Sequence, residues 1–182
     1  HPYHEERVIR LENMWKRKKI DLDTSFFPYM TLRTQILYKD ARSSSDEVWI
    51  NRYTRDRNDP VSIYGASLVY ALKGNADKSV DVAAEMNSPY KSMFLGEMLV
   101  DAHNFKEAVE VLKHETHPAS KFYLARAYEG AGDGLAALEV YGEISRYGSV
   151  YPEIYYRYGM LLGRMGQEAK GYEYLGRFYL ET

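Results

Sequence analysis

The apolar positions of this chain recur at helical spacing from its first residues onward. Val8, Leu11 and Trp15 fall on one stripe with Met14 beside it, while Glu5, Glu6, Arg10 and the basic run Lys16-Arg17-Lys18-Lys19 take the other face. That pattern predicts a helix over residues 1–19 whose last turn carries the cations a helix C-terminus favours. Residues 20–28 read as a connector, with Phe26 and Phe27 expected to plug into the helices that follow. A second helix is predicted over about 29–41, with Met30, Leu32, Ile36 and Leu37 as its apolar set. Ser44 with Glu47 three residues on fits a capping box. It opens a third helix through Val48, Trp49 and Tyr53 to about residue 57. These two helices are expected to form a degenerate pair capping what comes next.

From residue 60 the chain repeats itself. Pro60, Pro89, Pro118 and Pro152 each open a unit, and Asp59 and Ser88 precede the first two as N-caps. Seven residues beyond each proline stand Ser67, Gly96, Ala125 and Gly159, all small. Ten beyond stand Tyr70, Leu99, Tyr128 and Leu162, all large. Fourteen beyond come Gly74, His103, Gly132 and Gly166, and nineteen beyond come Ser79, Ala108, Ala137 and Gly171. Each class has a physical reason. Small residues let two helices approach to roughly 8–10 Å while large ones fill the holes beside them, and glycine accepts the positive φ that ends a helix. His103 stands in a turn-glycine position, with Asn104 after it to help shape the backbone. The last two prolines lie 34 residues apart and the others 29. Second helices are therefore expected to end early in the first two units, over about 77–85 and 105–114. A final helix over about 168–180 keeps Tyr172, Leu175, Phe178 and Tyr179 with no following unit to cover them.

Composition narrows the function more than it names it. Of 182 residues 45% are hydrophobic and 18 are Tyr, enough for a packed core. The 24 basic and 26 acidic residues leave a net charge of -2, with no overall attraction to nucleic acid. No Cys is present, which removes disulfides and thiol chemistry. The longest nearly apolar run, 93–100, is interrupted by Gly96 and Glu97 and is too short to span a bilayer. With no initiator Met and no signal peptide, the chain is expected to be a fragment or a processed product.

Catalytic signatures are missing. There is no HExxH, P-loop, GxSxG or Gly-rich dinucleotide motif. His114 and His117 have a spacing that could hold a metal, yet they stand at a helix end before Pro118 and are expected to form a solvated turn. No catalytic, cofactor or metal residue is predicted, and the chain is not expected to be an enzyme by itself.

The 34-residue period with this order of small, large and turn residues resembles the tetratricopeptide repeat. The resemblance implies an all-α, right-handed superhelix of antiparallel helix pairs with an N-terminal helical extension. Residues 29–59 would be the capping pair, and 60–88, 89–117, 118–151 and 152–182 four repeats. In that family the first helix of each unit lines a concave groove. Its positions here are Tyr64 and Leu68; Tyr90, Met93, Glu97 and Asp101; Phe122, Arg126 and Glu129; and Tyr156, Met160 and Arg164. The implied groove is aromatic and Met-rich with scattered charges, suited to an extended or helical polypeptide. The Lys/Asn clamp that holds a C-terminal carboxylate is not expected, because Tyr64, Met93, Phe122 and Tyr156 stand in its places. The bare last helix makes self-association an expectation too.

The opening residues carry a second resemblance. His1-Pro2, Glu6-Arg7 and Leu11 are similar to the HP-x3-ER-x3-L stretch that closes the peptidase domain of M48-family zinc metalloproteases. In a branch of that family similar to periplasmic outer-membrane quality-control proteases, a tetratricopeptide domain follows directly. The segment from Leu32-Arg33 to Leu37 and the run Tyr64-Gly65-Ala66 look like that branch. The resemblance implies that residues 1–28 are the tail of a peptidase domain and that zinc belongs only to residues preceding His1. The module would then serve unfolded envelope proteins in the periplasm or cell envelope, or pack on its own protease domain. The alternative is a free-standing, cytoplasmic tetratricopeptide adaptor unrelated to proteolysis.

Overall fold

The computed structural model describes residues 24–37 and 47–182. The predicted helix over 1–19, the opening HP motif, the Ser44 cap and the stretch 38–41 lie outside them. Among the described residues there are ten α-helices and no strand. They are α1 (Phe27–Leu37), α2 (Glu47–Arg55), α3 (Pro60–Leu72), α4 (Ala76–Ala84), α5 (Lys91–Asp101), α6 (Phe105–Leu112), α7 (Pro118–Gly130), α8 (Gly134–Ile144), α9 (Pro152–Arg164) and α10 (Glu168–Glu181). From α3 on they stack as pairs, α3 with α4 through α9 with α10, and each first helix also touches its neighbouring units.

The repeat register explains the stack. The Asp59 carboxylate accepts from Val61 N at 3.1 Å and Ser62 N at 3.2 Å, and Pro60 follows at the first helical position. Pro118 and Pro152 likewise stand at the first positions of α7 and α9, although no side chain caps α9. The second unit departs from the pattern, since α5 starts two residues after Pro89, and Ser88 Oγ accepts from Tyr90 N and bonds to Tyr29 Oη, each at 3.2 Å. At the turns Gly74, Gly132 and Gly166 take φ of +76°, +86° and +79°, and His103 itself takes +62°. In each case the following amide bonds back to the carbonyl five residues earlier, for example Asn75 N to Tyr70 O and Asp133 N to Tyr128 O at 2.9 Å. This is the left-handed helix stop that glycine adopts without strain.

The small positions are where helices touch. A Cβ on Gly96 would lie 2.5 Å from the Leu112 side chain, and one on Gly159 would lie 2.9 Å from Gly171 O. Ser67, Ala125, Ser79, Ala108 and Ala137 are fully buried in the equivalent places. The second helices of the first two units are short, nine residues in α4 and eight in α6 against eleven in α8 and fourteen in α10. Along α10 the outer side is bare, with Tyr172 and Tyr179 exposed. Leu175 is half-buried and Phe178 rests on Tyr156.

The beginning of the array differs from its expectation. α2 covers α3 through Trp49, which sits over Gly65, while the Tyr53 hydroxyl donates to the Glu85 carboxylate at the end of α4. α2 thus occupies the place of a preceding second helix. α1 does not pair chiefly with α2. It packs on α3 instead, burying Leu32 and Ile36 as expected and Tyr29 besides, while Met30 and Leu37 of the expected set stay partly exposed. Phe26 plugs in as expected, against the rings of Tyr29, Tyr90, Phe94 and His117. Phe27 points outward and is exposed. His117 is not merely solvated, because its Nδ1 caps α7 by accepting from Ala119 N at 3.2 Å.

Candidate functional site

The inner face is built by α3, α5, α7 and α9, and α1 lies across its first part. Tyr29 meets the rings of Tyr64, Tyr90 and Phe94 with centroids 6.1, 5.5 and 4.9 Å away. Four residues further along α1, Arg33 donates to Tyr64 Oη at 2.7 Å and to Glu97 Oε1. Glu97 is 2% exposed, and it also accepts from Tyr123 Oη at 2.8 Å and Tyr64 Oη at 3.1 Å. A carboxylate inside a core demands such partners. The cost of burying Arg33 is outweighed by the attraction of Glu97, which holds the guanidinium firmly charged. Burial, and next the Glu97 charge, push the Tyr64 and Tyr123 phenols well above their ordinary value.

Beyond α1 the face opens into a cleft of about 620 Å³. Leu37, Leu68 and Leu72 line it together with Ala71, Val100 and Phe105, and seven charged side chains make up much of the remaining wall. Arg126 Nη2 reaches Asp101 Oδ1 at 3.2 Å, and Arg164 pairs with Glu129, which also accepts from Tyr141 Oη at 3.2 Å. Arg157 lies in the same lining, its Nε 3.0 Å from Glu153 Oε1. Four guanidinium groups, those of Arg33, Arg126, Arg157 and Arg164, thus face three carboxylates, those of Glu97, Asp101 and Glu129. Arg164 and Asp101 keep 57% and 38% of their side-chain surface in solvent, so these pairs can exchange partners at little cost.

The expected aromatic and Met lining is therefore corrected. Tyr64 and Met93 belong to the core. Tyr90 and Phe122 are half-buried in ring clusters, Phe122 against Tyr123 and Tyr141. Tyr156 and Met160 are partly exposed but stand outside the cleft. Leu68, Glu97, Asp101, Arg126, Glu129 and Arg164 are brought together in its wall. Sequence reasoning missed Arg33 and Arg157. One signal pointed toward Arg33: a lone carboxylate inside the apolar run 93–100 needs a cation from elsewhere in the chain.

Among the described residues no cluster of three or more His, Asp or Glu could hold a metal ion, and no helix is long and apolar enough to cross a membrane.

The architecture defines the chain as an all-α tetratricopeptide-repeat solenoid, and solved structures agree. The crystal structure of MamA matches with a TM-score of 0.59 at 13% identity, covering 75% of this chain and 85% of that one. The MamA RS-1 ArsTM double mutant matches at 0.60 and 15% identity over 88% and 95%. YrrB, described as a TPR protein with an unusual peptide-binding site, matches at 0.56 and 16% identity over 94% and 91%. In sequence, neither a family model nor a curated protein matches. At these identities the likeness carries the fold alone.

Proposed function

We propose that the chain is a non-catalytic polypeptide-binding module whose ligand lies in the charged cleft of α5, α7 and α9. One observation carries this reading: successive first helices place partly exposed arginine–carboxylate pairs along a single open trough. An extended segment laid there can trade its own carboxylates and carbonyls for the resident partners, while the leucines lining the trough receive an apolar side chain. The peptide-binding site for which YrrB is described supports the same class of role. The finer reading is the partner-binding part of an M48-like envelope metalloprotease, located in the periplasm or envelope, and it rests on the HP-x3-ER-x3-L resemblance of the opening residues.

The test is a binding scan of the purified chain against an array of unfolded envelope-protein segments, beside Arg126→Ala and Arg164→Ala variants. Binding that weakens by about ten-fold in a folded double variant supports the cleft. Silence across the array, or binding indifferent to both substitutions, overturns it. The variants Tyr90→Ala and Phe122→Ala would be poor probes, since both rings pack against neighbours.

A further inference from the structure

The first part of the inner face is not open, and what fills it shows what it accepts. α1 lies on α3 with Tyr29, Leu32 and Ile36 buried, and Arg33 bonded to both Tyr64 and Glu97. The start of the stack is already closed by α2 through Trp49 and Tyr53. α1 is therefore not needed as an end cap; it sits where a ligand of a concave face would sit. Its outward side is not finished for water either, with Phe27 71%, Leu37 40% and Met30 37% exposed.

We propose that the face formed by α3 and α5 is a helix-binding site that α1 fills in cis. A client helix carrying an aromatic residue, with Leu, Arg and Ile three, four and seven residues further on, displaces it. That a client does so rests on the polypeptide-binding role proposed above. The spacing follows from Tyr29, Leu32, Arg33 and Ile36, which share one helical face. The aromatic residue enters the cluster of Tyr64, Tyr90 and Phe94. The Leu covers the gap at Gly65, where a Cβ would lie 3.0 Å from Leu32 Cδ1. The Arg is the selective element. Glu97 is buried, and once α1 leaves it keeps only the hydroxyls of Tyr64 and Tyr123. An incoming helix without a guanidinium would strand that carboxylate in the core. A filled site also binds a competitor more weakly by the fraction of time it is vacant. α1 thus sets a threshold that weak or mismatched helices do not pass.

The test uses the full chain and, as probe, a fluorescein-labelled peptide of residues 24–37, with a second peptide carrying Arg33→Glu. Anisotropy should show the chain with Tyr29→Ala and Leu32→Ala in its own α1 binding the first peptide about ten-fold more tightly than the unaltered chain does. The Arg33→Glu peptide should lose that gain. Equal binding to both chains, or indifference to the charge reversal, overturns the proposal. If the double variant fails to fold, hydrogen exchange on the unaltered chain decides. Excess peptide should speed exchange of the α1 amides while α3 and α5 stay protected, and unchanged α1 exchange overturns the proposal. A dimer that forms in the variant and excludes the peptide would make a second copy the occupant and overturn the client assignment. The cleft is tested through Arg126 and Arg164, which pair with Asp101 and Glu129, so failure of the cleft and failure of the helix site are read from different residues.

Discussion

Arg33 of α1 and Glu97 of α5 meet although 64 positions separate them, and both lie against the Tyr64 hydroxyl of α3. Three helices that are not consecutive are tied at one point. Removing one member of a buried ion pair destabilises more than removing both. Arg33→Met should lower unfolding free energy by about 2–4 kcal/mol, toward the low side because part of the guanidinium reaches solvent. Arg33→Met with Glu97→Leu should cost less than the two single changes added together, with a coupling of about 1–3 kcal/mol in urea titrations. Additive losses would mean that the two residues act independently.

Tyr64, Tyr123 and Tyr141 should make the fold sensitive to alkali. Burial, and after it the charge of Glu97 or Glu129, raises all three phenols above the unfolded value of about 10. The folded state therefore keeps protons that the unfolded chain releases. Their contribution is intact below about pH 10 and is lost as pH rises beyond it. Tyrosinate absorbance should rise in two stages, the accessible rings first and these three only with unfolding. Tyr64→Phe with Tyr123→Phe should flatten the fall of stability between neutral and alkaline pH.

The helix stop at His103 should tolerate glycine better than the other three tolerate alanine. A side chain at φ +62° is strained by about 1 kcal/mol. The His103 ring recovers a part of this against Phe105, 5.5 Å away between centroids. His103→Gly should thus stabilise by up to about 1 kcal/mol, whereas Gly132→Ala should destabilise by about 1–2. Thermal melts of the two variants would move in opposite directions.

Two glycines of the last repeat should respond with opposite signs. An Ala at 159 must push against the Gly171 carbonyl, a backbone atom that cannot rotate away, and should cost about 1–3 kcal/mol. A Cβ at Gly176, inside α10, meets nothing within 4 Å. Gly176→Ala should stabilise by roughly 1 kcal/mol through helix propensity. A neutral Gly159→Ala would mean that α9 and α10 do not approach as described, and a destabilising Gly176→Ala would mean that this side of α10 is covered.

Within residues 60–182 the amino-acid order was enough to place the helix pairs and their four turn positions. Each determinant there acts over a few residues. Asp59 reaches the amides two and three positions on, and Gly74, Gly132 and Gly166 take backbone angles that are costly for other residues. The small residues keep one register because every unit buries the same contact. What the inner face presents was decided only by tertiary structure. Nothing local to Tyr64, Met93 or Glu97 says whether water or another helix covers it, and the covering helix, α1, comes from outside the repeats. Its own apolar residues surround it, so the sequence pattern chose Met30 and Leu37 where packing buried Tyr29. Glu97 was the hint within the apolar run, because a charge there must be paired. Which residue answers it is a matter of distance in space, and 64 positions of sequence hide that.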